Sequence, residues 1–88
     1  QNYPNPFNPT TRIPFSLPRA SVVELVIYDL LGREIITLVN GNLNAGQYSI
    51  VWHGRNGRGV PVASGIYFYT LVADHKSRLM TRRMTLLK

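Results

Sequence analysis

The sequence predicts an all-β, immunoglobulin-like β-sandwich of about seven antiparallel strands. Three observations carry that expectation. Apolar residues recur with period two, as in Ile13, Phe15 and Leu17 against Arg12, Pro14 and Ser16, the spacing of a strand with one buried face. Seven Gly and six Pro interrupt the apolar runs at short intervals, the punctuation of strands joined by turns. No stretch of about ten residues carries an apolar stripe at helical spacing. A single amphipathic sheet would leave one face bare, so two sheets close on each other.

The chain has 88 residues, enough for one domain. Its 44% hydrophobic and 16% charged residues describe a globular chain rather than a disordered one. There is no cysteine, which excludes disulfides, thiolate-ligated zinc and a thiol nucleophile, and leaves the redox compartment unread. No apolar run approaches the ~20 residues that span a bilayer. The opening segment lacks the basic and apolar regions of a signal peptide and reads as part of a longer protein. Ten Lys and Arg against four acids give a net charge of +6. Nucleic acid, anionic glycan and a membrane surface are all admissible partners on charge alone.

Residues 1–10 form an extended lead-in, because Pro4, Pro6 and Pro9 remove donors and push their neighbours out of helical geometry. Tyr3 and Phe7 are its aromatic pegs against the sandwich edge. The first strand covers 11–17, and Pro14, with no N–H, makes it an edge strand. The second covers 22–28, where four of seven residues are β-branched and Val23, Leu25 and Ile27 share a face. A turn follows over 29–33, with Asp29 as its cap and Gly32 free to take positive φ.

The third strand covers 34–39, and Asn40-Gly41 signals a turn. The fourth covers 47–52, with Tyr48, Ile50 and Trp52 on one face. A polar loop over 53–59 leads to a short edge strand at 60–62. The sixth strand covers 65–73, a tight turn covers 74–77, and the seventh, 78–87, completes a C-terminal hairpin.

Four constellations invite a functional reading. Tyr67 stands where the tyrosine corner of immunoglobulin-like domains would place it, near the start of the sixth strand. Tyr69 takes the inward position of an immunoglobulin cysteine, and Trp52 follows the inward alternation of the fourth strand. All three are read as structural. The segment Trp52-His53-Gly54-Arg55-Asn56-Gly57-Arg58-Gly59 has the Gly and Arg of an anion cradle, but neither the Gly-Lys-Ser/Thr ending nor the helix of a phosphate loop. His53 and His75, with four acids and no Cys, fall short of a zinc site. Asp29 and Asp74 stand too far apart in sequence to read as a calcium cluster.

No pair of carboxylates and no Ser–His–acid set marks a catalytic centre. No catalytic residue, cofactor or metal ligand is assigned. The last constellation is charge: Lys76, Arg78, Arg82, Arg83 and Lys88 place five of the ten basic residues in the last thirteen positions. Arg82 and Arg83 must face opposite sides of the C-terminal strand, so one of them snorkels at the core margin. A basic edge strand resists edge-to-edge pairing; it can equally be a docking face. The aromatics sit elsewhere in the sequence, which argues against nucleic acid.

Longer motifs add a family likeness. Asn2-Tyr3-Pro4-Asn5-Pro6-Phe7-Asn8-Pro9-Thr10-Thr11 resembles the start of the C-terminal sorting domains (type A) of type IX secretion cargo. It is equally similar to the immunoglobulin-like domain related to the flagellar hook-capping protein. The likeness continues through Ile27-Tyr28-Asp29-Leu30-Leu31-Gly32-Arg33-Glu34, Leu43-Asn44-Ala45-Gly46 and Val51-Trp52-His53-Gly54-Arg55-Asn56. It ends with Gly59-Val60-Pro61-Val62-Ala63-Ser64-Gly65-Ile66-Tyr67-Phe68-Tyr69 and the basic tail 82–88. His53 departs from the Asp usual after the Trp.

The resemblance implies a non-enzymatic C-terminal module of a larger secreted protein, such as a glycosidase, that transits the periplasm to the outside or the cell surface. Its partners would be secretion and attachment machinery, with the parent's catalytic domain upstream. Recognition would rest on Gly65, Tyr67, Arg82, Arg83, Met84, Leu86 and Lys88. The alternative is a carbohydrate-binding or passive accessory module, monomeric, that meets a cell-surface glycan. That alternative requires Tyr3, Tyr28 and Phe68 to point outward.

Overall fold

The computed structural model describes residues 10–74 and 77–87, with the backbone alone at 77–79. The lead-in aromatics Tyr3 and Phe7, His75, Lys76 and Lys88 lie outside the described residues. The described residues form six strands: β1 (Thr11–Leu17), β2 (Ser21–Asp29), β3 (Glu34–Leu43), β4 (Gly46–Trp52), β5 (Gly65–Ala73) and β6 (Ser77–Leu86). They form two sheets. β1 pairs with β4, and the larger sheet runs β3-β2-β5-β6, antiparallel throughout. This is the expected immunoglobulin-like sandwich with one strand fewer.

The core follows from the alternation. Ile13, Phe15 and Leu17 of β1 and Trp52 of β4 face Val23, Leu25 and Ile27 of β2 and Tyr67, Tyr69 and Leu71 of β5. Burying an aliphatic or aromatic side chain of this size is worth about 1.5–3 kcal/mol. β1 is an edge strand, as Pro14 suggests: among the described residues it pairs with β4 alone.

Two expectations about strands need correcting. Asn40-Gly41 is not a turn. Asn40 pairs with Glu24 and Gly41 with Val23, and β3 continues to Leu43 opposite Ser21. A long neighbour with an unbroken ladder outweighs a local turn signal, because each turn residue would leave a backbone partner on β2 unpaired. The chain reverses instead at Asn44-Ala45, where the Tyr48 hydroxyl donates to the Asn44 carbonyl at 2.6 Å. The second correction is the short strand at 60–62. Pro61 makes only an isolated bridge to Arg55, since a proline has no N–H to extend the ladder.

Two strands cannot blanket four. Strands lie about 4.8 Å apart, so the β1-β4 sheet covers β2 and β5 and leaves the flanks of the larger sheet half-open. On β3, Ile35, Ile36, Leu38 and Val39 are only partly buried. On the core-facing side of β6, Leu86 is buried, Met80 and Met84 are half-buried, and Arg82 is exposed. The loop 53–62 compensates on the β3 side, where the Gly57 N–H donates to the Ile35 carbonyl at 3.0 Å.

Candidate functional site

Two of the four acids, Asp29 and Asp74, are committed to backbone N–H groups at strand ends. The Asp29 carboxylate accepts from the N–H groups of Leu31 and Arg33, each at 2.9 Å, and from Arg33 Nε at 2.7 Å. Those bonds, the Arg33 N–H above all, hold its pKa below the ordinary 3.8 against a smaller opposing desolvation. Gly32 completes this turn at φ 82°, as its sequence position suggested. Asp74 accepts from the Val22 N–H at 2.9 Å, and its own N–H donates to the Val22 carbonyl at 2.7 Å. Glu34 accepts from the Thr37 hydroxyl. Among the described residues no three His, Asp or Glu side chains gather as metal ligands do.

The residues assigned structural roles meet in the core. Trp52 is 1% exposed and meets Tyr67 edge to face, with ring centroids 5.1 Å apart. The Tyr67 hydroxyl donates to the Ala63 carbonyl at 2.7 Å, the bond of a tyrosine corner. Desolvation raises its pKa above the ordinary 10.0, with a smaller push from the Asp29 charge. Tyr69 is buried beside them.

The residues assigned to recognition divide into two groups. Gly65 pairs with Leu86 and Tyr67 with Met84 at one end of the β5-β6 hairpin. Tyr67 and Leu86 are buried there, so their side chains support a surface rather than form it. Arg82 and Arg83 are both exposed, on opposite faces. Arg82 is the one on the core side, opposite Tyr69, and Arg83 stands opposite Phe68. Neither makes an ion pair among the described residues. The expectation that aromatics lie apart from these charges was therefore wrong in space, because strand pairing joins what the sequence separates.

Two surfaces emerge: the first was not foreseen, and the second carries Tyr28 and Phe68, two of the aromatics that the carbohydrate-binding alternative requires to point outward. The first is apolar. Leu30 (64% exposed), Leu31 (77%), Ile66 (37%) and Leu87 (75%) gather at one end of the larger sheet. Leu30, Leu31 and Ile66 line an open groove of about 290 Å³ with Asp29, Gly65 and Tyr67, and Leu87 follows the Leu86 that pairs with Gly65. The signal was in the sequence: two consecutive leucines in a turn have no core to enter.

The second surface is the outer face of the larger sheet. One row crosses all four strands: Glu34 on β3, Tyr28 on β2, Phe68 on β5 and Arg83 on β6. The next row carries Thr37, Val26, Thr70 and Thr81. Ile27 and Tyr69 point into the core, so Tyr28 and Phe68 point outward, and both are half-buried.

The family model described as FlgD Ig-like domain matches residues 5–77. No curated protein matches the chain. Among solved structures, FlgD from P. aeruginosa is similar, with a TM-score of 0.67 and 25% sequence identity. The match covers 89% of this chain and 60% of that one, so this chain spans less than two thirds of the protein it resembles.

Proposed function

The chain belongs to the FlgD Ig-like domain family, and on that premise we propose that it is the C-terminal sorting and cell-surface attachment module of a larger secreted protein. The immunoglobulin-like FlgD domain itself is an accessory module and not a catalyst. In the proposed role it follows an upstream catalytic domain through the periplasm. Outer-membrane secretion machinery of the type IX kind recognises its last hairpin and sends the parent outside.

One observation carries this reading: the apolar end formed by Leu30, Leu31, Ile66 and Leu87 at the finish of β6. Exposed apolar side chains gathered in one place mark a protein contact more often than singly scattered ones do. They adjoin Gly65 and Leu86, two of the residues that the family likeness singles out. Arg82 and Arg83, earlier on the same strand, add exposed charge on both of its faces.

The test fuses residues 1–88 to a periplasmic reporter in a host that has this export machinery. The reporter is expected in the medium or on the cell surface, and removal of 82–88 is expected to leave it in the periplasm. Periplasmic retention by the intact domain overturns the reading. So does export that is unchanged by the deletion.

A further inference from the structure

We propose that the outer face of the β3-β2-β5-β6 sheet binds a polysaccharide with a neutral backbone and sparse uronic-acid substituents. This inference does not rest on export by the last hairpin: it concerns the outer face of the sheet, which shares Arg83 with the residues assigned to recognition. It rests on the row Glu34, Tyr28, Phe68 and Arg83. Tyr28 and Phe68 are directly opposite on neighbouring antiparallel strands, which puts their Cβ atoms about 4.5–5.5 Å apart. Two adjacent aromatic side chains on an open sheet face offer an apolar strip for the C–H face of a sugar ring.

The strip is edged with hydrogen-bonding groups. The Thr70 and Thr81 hydroxyls lie in the neighbouring row, Glu34 ends the row on one side and Arg83 on the other. Sugars have that same division, an apolar face with a hydroxyl rim. A protein partner would need a broader apolar centre, and beyond the half-buried Tyr28 and Phe68 this face exposes little large apolar surface except Ile66.

Charge decides which glycan. Arg83 is exposed and has no ion-pair partner among the described residues, so it can take a carboxylate in a bidentate bond. Glu34 at the far end of the row and Glu24 further along the same face of β2 repel a continuous polyanion. The face therefore suits a neutral chain across Tyr28 and Phe68, with an acidic branch at the β6 side.

Affinity electrophoresis of the 88-residue chain in gels containing glucuronoxylan, unsubstituted xylan or single-stranded DNA tests this. Glucuronoxylan is expected to retard the protein most. Arg83→Gln, at an exposed site, is expected to weaken that retardation roughly tenfold, to the level of unsubstituted xylan. Phe68→Thr, which retains strand propensity, is expected to abolish retardation in both xylans, with circular dichroism confirming the fold. Three outcomes overturn the proposal: no retardation in glucuronoxylan, equal or stronger retardation in DNA, or retardation in glucuronoxylan unchanged by Arg83→Gln. Export of the reporter fusion is expected to survive Phe68→Thr, at a position outside the residues assigned to recognition, which keeps this test separate from that of the sorting role.

Discussion

Trp52 and Tyr67 meet edge to face at 5.1 Å, and each uses its polar tip to hold the loop that joins their strands. Trp52 Nε1–H donates to the Arg55 carbonyl at 2.9 Å, at the start of the loop, and the Tyr67 hydroxyl donates to the Ala63 carbonyl at 2.7 Å, at its end. The two rings fill the core while their heteroatoms satisfy loop carbonyls that water would otherwise have to reach. One contact thus ties sandwich packing to the placement of residues 53–64.

Tyr67→Phe isolates the polar half of that contact. The ring and its packing on Trp52 remain, and the Ala63 carbonyl loses its donor. The expected cost is about 1 kcal/mol, which for a domain of this size lowers Tm by roughly 4–8 °C. The pH dependence has a sign as well. The folded pKa of Tyr67 lies above its unfolded value of 10.0, so the stabilisation from its neutral form is complete below pH 10.0 and is lost as pH rises through the folded pKa. Thermal melts of the Phe variant should show a shallower alkaline decline. An unchanged Tm would remove the corner from the account of stability.

The loop has its own internal brace at Asn56. Its Oδ1 accepts from the N–H groups of Arg58 at 2.9 Å and Val60 at 3.1 Å, and its backbone N–H donates to the Val60 carbonyl. Asn56→Ala removes the side-chain acceptor and leaves two turn donors to solvent. The expected loss is about 1 kcal/mol. Hydrogen exchange should quicken at Arg58 and Val60, and also at Gly57, whose N–H is bonded to Ile35 across the β3 edge. If exchange at Gly57 did not change, the loop's docking on β3 would be independent of its brace.

What the sequence revealed, and what it hid, follows from how far each signal reaches. The alternation of Ile13, Phe15 and Leu17 is local and decides which face is buried; Pro14 is local too, since a missing N–H matters wherever the strand lies. Asn40-Gly41 misled because a turn signal yields when a neighbouring strand supplies pairs through it, and only the fold shows that β2 does. The same limit hid the row of Tyr28, Phe68 and Arg83. Tyr28 and Phe68 stood together as candidates for an outward aromatic face and Arg83 apart from them for its charge, but only strand order brings the three side by side. Asp74 illustrates the gap again: it stood out as an isolated acid, yet its role is to clasp Val22, 52 positions away in sequence.

Acid should loosen the turn over 29–33 only once the pH falls below the ordinary carboxylate value. The folded pKa of Asp29 lies below 3.8, so its contribution is present above pH 3.8 and is lost as pH falls through the folded value. Asp29→Asn retains an oxygen for the Leu31 and Arg33 N–H groups but cannot charge. Its Tm is expected to be lower than that of the parent at neutral pH, with the two curves converging below pH 3.8. Parallel curves throughout the acid limb would show that the ionised carboxylate contributes nothing to the fold.

Leu31 separates stability from docking. It is 77% exposed in a turn whose geometry rests on Asp29, Gly32 and Arg33, so its side chain holds up nothing. Leu31→Ser should change stability by no more than about 0.5 kcal/mol and leave Tm within a few degrees. The same change removes the most exposed apolar side chain at the end of the sheet where β6 finishes. If that end docks on export machinery, a reporter fused to the Leu31→Ser domain should be exported several-fold less than the parent fusion, at equal periplasmic abundance. Pairing it with Leu30→Ser should deepen the defect, because the two leucines line the same groove. Export at the parental level from the double variant would move the docking surface away from this end and leave the basic residues of β6 as its remaining candidates.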